Sequence, residues 1–228
     1  MPEKKFEYND FDLEYHMEVK AGKLDEWLAK AWFRTGAYLL TCTSICIDKK
    51  PSNAHWLRYN APAITLSRSS KKILAKNKHF QYIIKPYKVT KALKVVYNKY
   101  YAYRNIQMFS DLELVTDDPD RDIFDTFVIL IKDQKKIIAA GIFDRGTESV
   151  AAIKNFFDPL YHQYSLGKYL ILLLHQYCLQ HHIKWIYPGY IVPHYSKFDY
   201  KLFLDKKATE MYLYEAQTWV NYDEALVK

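Results

Sequence analysis

The chain has 228 residues, 50% of them hydrophobic, which is enough for one large core or two small ones and excludes a disordered or fibrous protein. Its formal net charge is +7, from 33 Lys and Arg against 26 Asp and Glu, so an anionic partner such as nucleic acid or a phosphate-bearing molecule is expected. Three cysteines, Cys42, Cys46 and Cys178, are too few for a disulfide framework and fit a reducing compartment. The polar start and the shortness of the longest apolar run, residues 169–174, lead us to expect a cytoplasmic protein with no membrane contact.

Residues 1–23 read as an extended arm. Leu24, Trp27, Leu28, Ala31 and Trp32 recur at helical spacing, so 24–33 reads as a helix closed by Gly36. Residues 38–47 read as a strand, 49–53 as a turn, and 54–59 as a second strand completing a hairpin. A basic segment, 66–77, can form a short helix capped by Ser67 or Ser69. A strand over 79–84 ends at Pro86, and apolar spacing predicts a helix over 91–103. An acidic loop, 116–122, precedes a three-strand meander over 124–132, 136–143 and 149–156. A long helix follows over 165–182, then a short strand over 185–190, and 211–222 reads as a strand or a covering segment.

Antiparallel strands that feed a long helix and then a further strand resemble the centre of the GNAT acyltransferase fold. The resemblance implies an α+β protein: a mixed, mostly antiparallel sheet flanked by helices over 86–228, with a smaller N-terminal α/β subdomain over 1–85. In that fold the strand before the long helix splays from its neighbour, and the acyl group lies in the gap. The helix start receives an anion, because its backbone N–H groups are unpaired and its dipole end is positive. Here the junction runs from Phe156-Phe157-Asp158-Pro159 to Ser165-Leu166-Gly167-Lys168-Tyr169. It offers Gln163 and Gly167 but not the second small residue of an acetyl-CoA phosphate loop.

Three segments carry a closer resemblance: Trp32-Phe33-Arg34-Thr35-Gly36; the basic run Ser67-Arg68-Ser69-Ser70-Lys71-Lys72 continuing to Leu74, Lys76 and Asn77; and a set of four motifs. The four are Phe156-Phe157-Asp158-Pro159, Ser165-Leu166-Gly167-x-Tyr169, Ile186-Tyr187-Pro188-Gly189-Tyr190-Ile191 and Phe198-Asp199-Tyr200-Lys201. Together they resemble, in order and spacing, the arginyl-tRNA–protein and bacterial leucyl-tRNA–protein transferases. Ser70 stands where that family has Gln, and Pro188 where it has Leu. Cys42 and Cys46 are spaced C-x-x-x-C with no histidine nearby, so no metal site is expected.

The resemblance implies transfer of an amino acid, arginine or leucine, from aminoacyl-tRNA to the N-terminal amine of an acceptor protein beginning with Asp or Glu. The ester donor is already activated, so no cofactor is implied beyond aminoacyl-tRNA as co-substrate. Asp158 is the first candidate to position or deprotonate the amine; a cap ahead of Pro159 is the competing role. Tyr187 and Tyr190 are candidates to stack on the terminal adenine or donate to the carbonyl, against plain core packing, and Gly189 would admit the acyl group. Arg68, Lys71, Lys72 and Lys76 would meet tRNA phosphates, if they are not simply a solvated face. Arg34, Ser165, Gly167, Tyr200 and Lys201 complete the expected substrate- and tRNA-binding set. An acetyl-CoA-dependent GNAT enzyme and a non-catalytic RNA-binding module are the rival functions.

Overall fold

The computed structural model describes residues 6–47, 49–104, 111–116 and 122–227, so residues 117–121 of the expected acidic loop lie outside it. A four-stranded sheet is built from β1 (Phe6–Tyr15), β2 (Phe33–Thr35), β3 (Tyr38–Ile47) and β4 (Lys50–Asn53). The larger, eight-stranded sheet contains β5 (His55–Asn60), β6 (Gln81–Pro86), β7 (Thr126–Asp133), β8 (Lys136–Arg145), β9 (Ser149–Phe157), β10 (Trp185–Ile191), β11 (Thr209–Leu213) and β12 (Thr218–Asn221). Its order is β12-β11-β5-β10-β9-β8-β7-β6. Every neighbouring pair is antiparallel except β9 and β10. The protein is thus α+β, with a mostly antiparallel sheet flanked by helices.

Five α-helices are described: α1 (Gly22–Ala29), α2 (Arg68–Asn77), α3 (Lys91–Arg104), α4 (Leu112–Thr116) and α5 (Leu166–Gln180). Successive strand residues point to opposite faces, and the larger sheet is apolar on both. Ile129, Ile131, Phe143 and Val150 pack with α5, whose Leu170, Leu172 and Leu173 are buried. Val128, Leu130, Ile142 and Phe156 face the other way, against Leu93, Val96 and Tyr97 of α3. Leu24 and Leu28 of α1 pack near Ala151 and Tyr187.

Three expectations need correction. The supposed N-terminal arm contains β1, paired antiparallel with β3. The first helix ends at Ala29 and Ala31 turns left-handed (φ 61°), which sends Phe33 into β2. The hairpin partner of β3 is β4, inside the supposed turn, while β5 crosses to the larger sheet between β10 and β11. Trp56, Leu57 and Tyr59 explain that crossing: all three are buried, on both faces of the strand, so β5 needs a central place in a sheet covered on both sides. Residue 85 lies inside β6, and strands from both sides of it share the larger sheet.

Candidate active site

The site begins with a failure of pairing. β9 and β10 match only at Ser149 with Trp185, Val150 with Ile186 and Ala151 with Tyr187. Beyond these residues the two strands no longer pair. On its other edge β10 carries a bulge against β5 between Ile186 and Gly189. Gly189 has φ +94°, a conformation that disfavours any residue with a Cβ.

Lys201 is positioned here by the 3₁₀ turn Ser196–Leu202. Its backbone carbonyl accepts a hydrogen bond from the buried Tyr59 hydroxyl. Its ammonium donates to the carbonyl oxygen of Tyr190 at 2.7 Å. It lies 4.7 Å from the Tyr190 ring centre and 4.8 Å from that of Phe198. A Cβ on Gly189 would come within 3.2 Å of this nitrogen, so glycine also makes room for the lysine. Lys201 is 9% exposed. Burial lowers its pKa from 10.5 to about 7; Cys42 acts in the opposite direction, and the charge of Lys154 reinforces the fall.

Lys154 was not among the residues expected at the site. It stands opposite Ile142 on the α3 side of β9, with its ammonium 6.0 Å from the Tyr97 ring centre. Burial, followed by the nearby charge of Arg104, lowers its pKa to about 8. A signal was present in the sequence: counting back by two from Phe156 puts Lys154 on the inward face of the strand.

The expected residues divide. Gly189, Tyr190 and Lys201 come together at the gap, where the Tyr190 ring packs 5.1 Å from Trp56 and 5.6 Å from Phe198. Tyr200 is exposed and lines a surface depression of about 510 Å³ with Lys168, Phe203 and Lys206. Ser165, in a left-handed conformation, and the half-exposed Gly167 form the start of α5. A Cβ on Gly167 would meet only Phe157, at 3.9 Å, so the fold does not require glycine there. Arg68, Lys71, Lys72 and Lys76 are exposed on α2, which is capped by Ser67 through the Ser70 N–H. Asn77 and Lys76 donate to the carbonyls of Tyr164 and Gln163 at 3.0 and 2.6 Å, tying this basic helix to the start of α5.

Three other candidates are committed to structural roles. Asp158 is buried, accepts from the Leu160 N–H at 3.2 Å, and pairs with Lys136 at 2.9 Å and Lys99 at 3.0 Å. Burial alone would raise its pKa, but the hydrogen bonds from Lys136, Lys99 and Leu160 outweigh it and hold the carboxyl below its ordinary value. These contacts make it a capping brace at the start of the turn that follows β9. Tyr187 is buried in the α1 core, its ring 5.6 Å from that of Trp219. Arg34 is buried, its side chain 3% exposed, and donates to Gly36, Thr126, Asp144 and Thr116. Among the described residues, no cluster of three or more His, Cys, Asp or Glu could hold a metal ion.

A parallel pair that opens beside a long helix is the arrangement expected of a GNAT-like fold. The chain belongs to the family described as arginine-tRNA-protein transferase, C terminus, which matches residues 95–209. Among the solved structures similar to this chain are the following two. One is the C-terminal DUF2156 domain of a protein described as a lysylphosphatidylglycerol synthetase from Agrobacterium fabrum, at TM-score 0.49 and 13% identity over 61% of this chain and 47% of that one. The other is L-PGS from Bacillus licheniformis, at TM-score 0.48 and 9% identity over 78% of this chain and 52% of that one. The chain spans about half the length of these structures. No curated protein matches it. No described helix is long and apolar enough to cross a membrane.

Proposed function

We propose that this protein transfers an amino acid from aminoacyl-tRNA to the N-terminal amine of an acceptor protein, with Lys201 as the proton carrier. The family description favours arginine as the amino acid; an acceptor beginning with Asp or Glu is the expectation carried from the resemblance. The observation that carries the reading is Lys201 at the part of β10 that no longer pairs with β9, hydrogen-bonded to Tyr190 and with its pKa lowered to about 7.

The chemistry follows from that lysine. The acceptor amine attacks the ester carbonyl, forming a C–N bond. The bond from the carbonyl carbon to the ribose oxygen breaks. The proton released by the amine passes to neutral Lys201 and then to the leaving ribose oxygen. A group with a pKa near 7 can do both, and such proton transfer contributes about 10²- to 10⁴-fold. The ester is already activated, so the reaction calls for no further cofactor. The exposed lysines and arginine of α2 would hold the tRNA backbone, and the depression beside Tyr200 would lead its end toward Lys201.

The test supplies labelled arginyl-tRNA, leucyl-tRNA or acetyl-CoA with peptides beginning in Asp, Glu, Arg or Lys. Label passing from arginyl-tRNA to an acidic N-terminus, and lost by at least about 10²-fold in Lys201→Met, is the expected result. Acetyl transfer without aminoacyl transfer, or full activity in folded Lys201→Met, would overturn it.

A further inference from the structure

Among the described residues, β1 is an edge of the small sheet. β1 pairs with β3 on one side, and no described strand lies along the other. Over residues 11–15 the pairing is regular, with Phe11 opposite Cys42, Leu13 opposite Leu40 and Tyr15 opposite Tyr38. Leu40 and Cys42 on that face are buried in the core, but the β1 side chains overhang it. Phe11, Leu13 and Tyr15 are 45%, 48% and 41% exposed, and Tyr38 and Met17 extend the patch. The Tyr15 and Tyr38 rings lie 5.6 Å apart. Isolated exposed apolar residues are ordinary; a row on one face of an edge strand marks an interaction surface.

The opposite face is acidic. Asp12 and Glu14 are exposed, and β1 as a whole carries Glu7, Asp10, Asp12 and Glu14 with no Lys or Arg, in a chain of net charge +7. This pattern discriminates between occupants. A second copy added antiparallel about Leu13 would align the apolar faces, but it would set Asp12 against Glu14 twice. Each like-charged pair directly opposite is unfavourable. Shifting by two residues keeps the faces matched and still sets acid against acid. A strand with basic residues at those positions turns the same contacts favourable.

We propose that β1 is a docking edge for a basic, extended segment of a partner protein. The segment adds as a fifth strand beside residues 11–15. Its alternate apolar side chains lie on Phe11, Leu13 and Tyr15, and its lysines or arginines meet Asp12 and Glu14. Main-chain hydrogen bonds supply the affinity, and the acid–base pattern selects the partner and suppresses self-pairing.

The test titrates the full chain with a ten-residue peptide alternating valine and lysine, and with the same peptide carrying glutamate for lysine, by calorimetry. Sedimentation reports the oligomeric state. The lysine peptide is expected to bind one to one, at least about 10-fold more tightly than the glutamate peptide. The double variant Asp12→Lys, Glu14→Lys, altered only at exposed positions, is expected to reverse the preference. Leu13→Lys is expected to abolish binding of both. Equal binding of the two peptides, no binding by either, or a dimer that Leu13→Lys dissociates would overturn the proposal.

Discussion

Lys201 poses a charge problem that the fold meets by weakening its hold on the proton. Burial lowers its pKa from 10.5 to about 7. Between those values the unfolded chain holds a proton that the folded chain lacks, so its contribution to stability rises with pH across that window. Below about 7 both states are protonated and the full cost of burying the charge is present. Lys201→Met removes the titration. Its stability relative to the parent should therefore be most favourable below pH 7 and decline toward pH 10, by at most ~1.4 kcal/mol per pH unit. Urea denaturation of both proteins between about pH 6 and pH 10 measures this without any activity assay; a constant difference would mean that Lys201 is not buried as a depressed amine. Transfer itself should rise with pH through about 7, as the neutral form accumulates. Asp158 behaves in the opposite sense. Its lowered pKa adds stability above the ordinary carboxylate range that is lost as pH falls through the folded value. Asp158→Asn should destabilise the protein by about 1–3 kcal/mol at neutral pH while leaving transfer by the folded fraction within about 3-fold. A loss of about 10²-fold at unchanged stability would return Asp158 to the chemistry.

At the scale of elements, what was legible depended on whether a segment's own pattern or its partners decide its fate. The meander β7–β9 and helix α5 are periodic and bounded by turns, and they form where the sequence places them. The basic helix α2 was legible too, and of its two candidate caps, Ser67 and Ser69, Ser67 is the one that forms. β5 was misread because a short strand of Trp, Leu and Tyr says that it will be buried but not beside which strand; only the crossover to β10 and β11 decides that. Asp158 was legible only in part for a related reason. Asp-Pro at a strand-to-helix junction serves both a cap and a base, and the lysines that pair with the carboxylate, Lys99 and Lys136, are remote in sequence. The exposure of α2 makes its proposed role measurable. Arg68→Gln, Lys71→Gln and Lys72→Gln together should weaken tRNA binding without changing the folded structure. Each lost phosphate contact should reduce the slope of log affinity against log salt by about 0.7–0.9. An unchanged slope would make α2 a solvated face only.

At the scale of the whole molecule, the two sheets are joined by a buried ion pair. Arg34 comes from β2 of the small sheet and Asp144 from β8 of the large one, 2.9 Å apart, and the Arg34 guanidinium also stacks 4.2 Å from the Phe124 ring centre. Thr126 donates to the same Asp144 oxygen at 2.7 Å. Burial pushes the Asp144 pKa upward more strongly than Arg34 and Thr126 pull it down, so the carboxylate depends on its cation. The Trp32-Phe33-Arg34-Thr35-Gly36 match was visible in the sequence, but it could not distinguish an arginine that meets substrate from one that holds two sheets in register. Arg34→Met leaves Asp144 buried without its charge partner and should cost about 3–5 kcal/mol. Removing both charges, as Arg34→Met with Asp144→Leu, replaces the pair by apolar volume and should recover a substantial part of that loss. Chemical denaturation of the two single variants and the double variant completes the cycle. If Arg34 instead served tRNA, Arg34→Met would keep the parent's stability and lose tRNA affinity, and the second substitution would restore nothing.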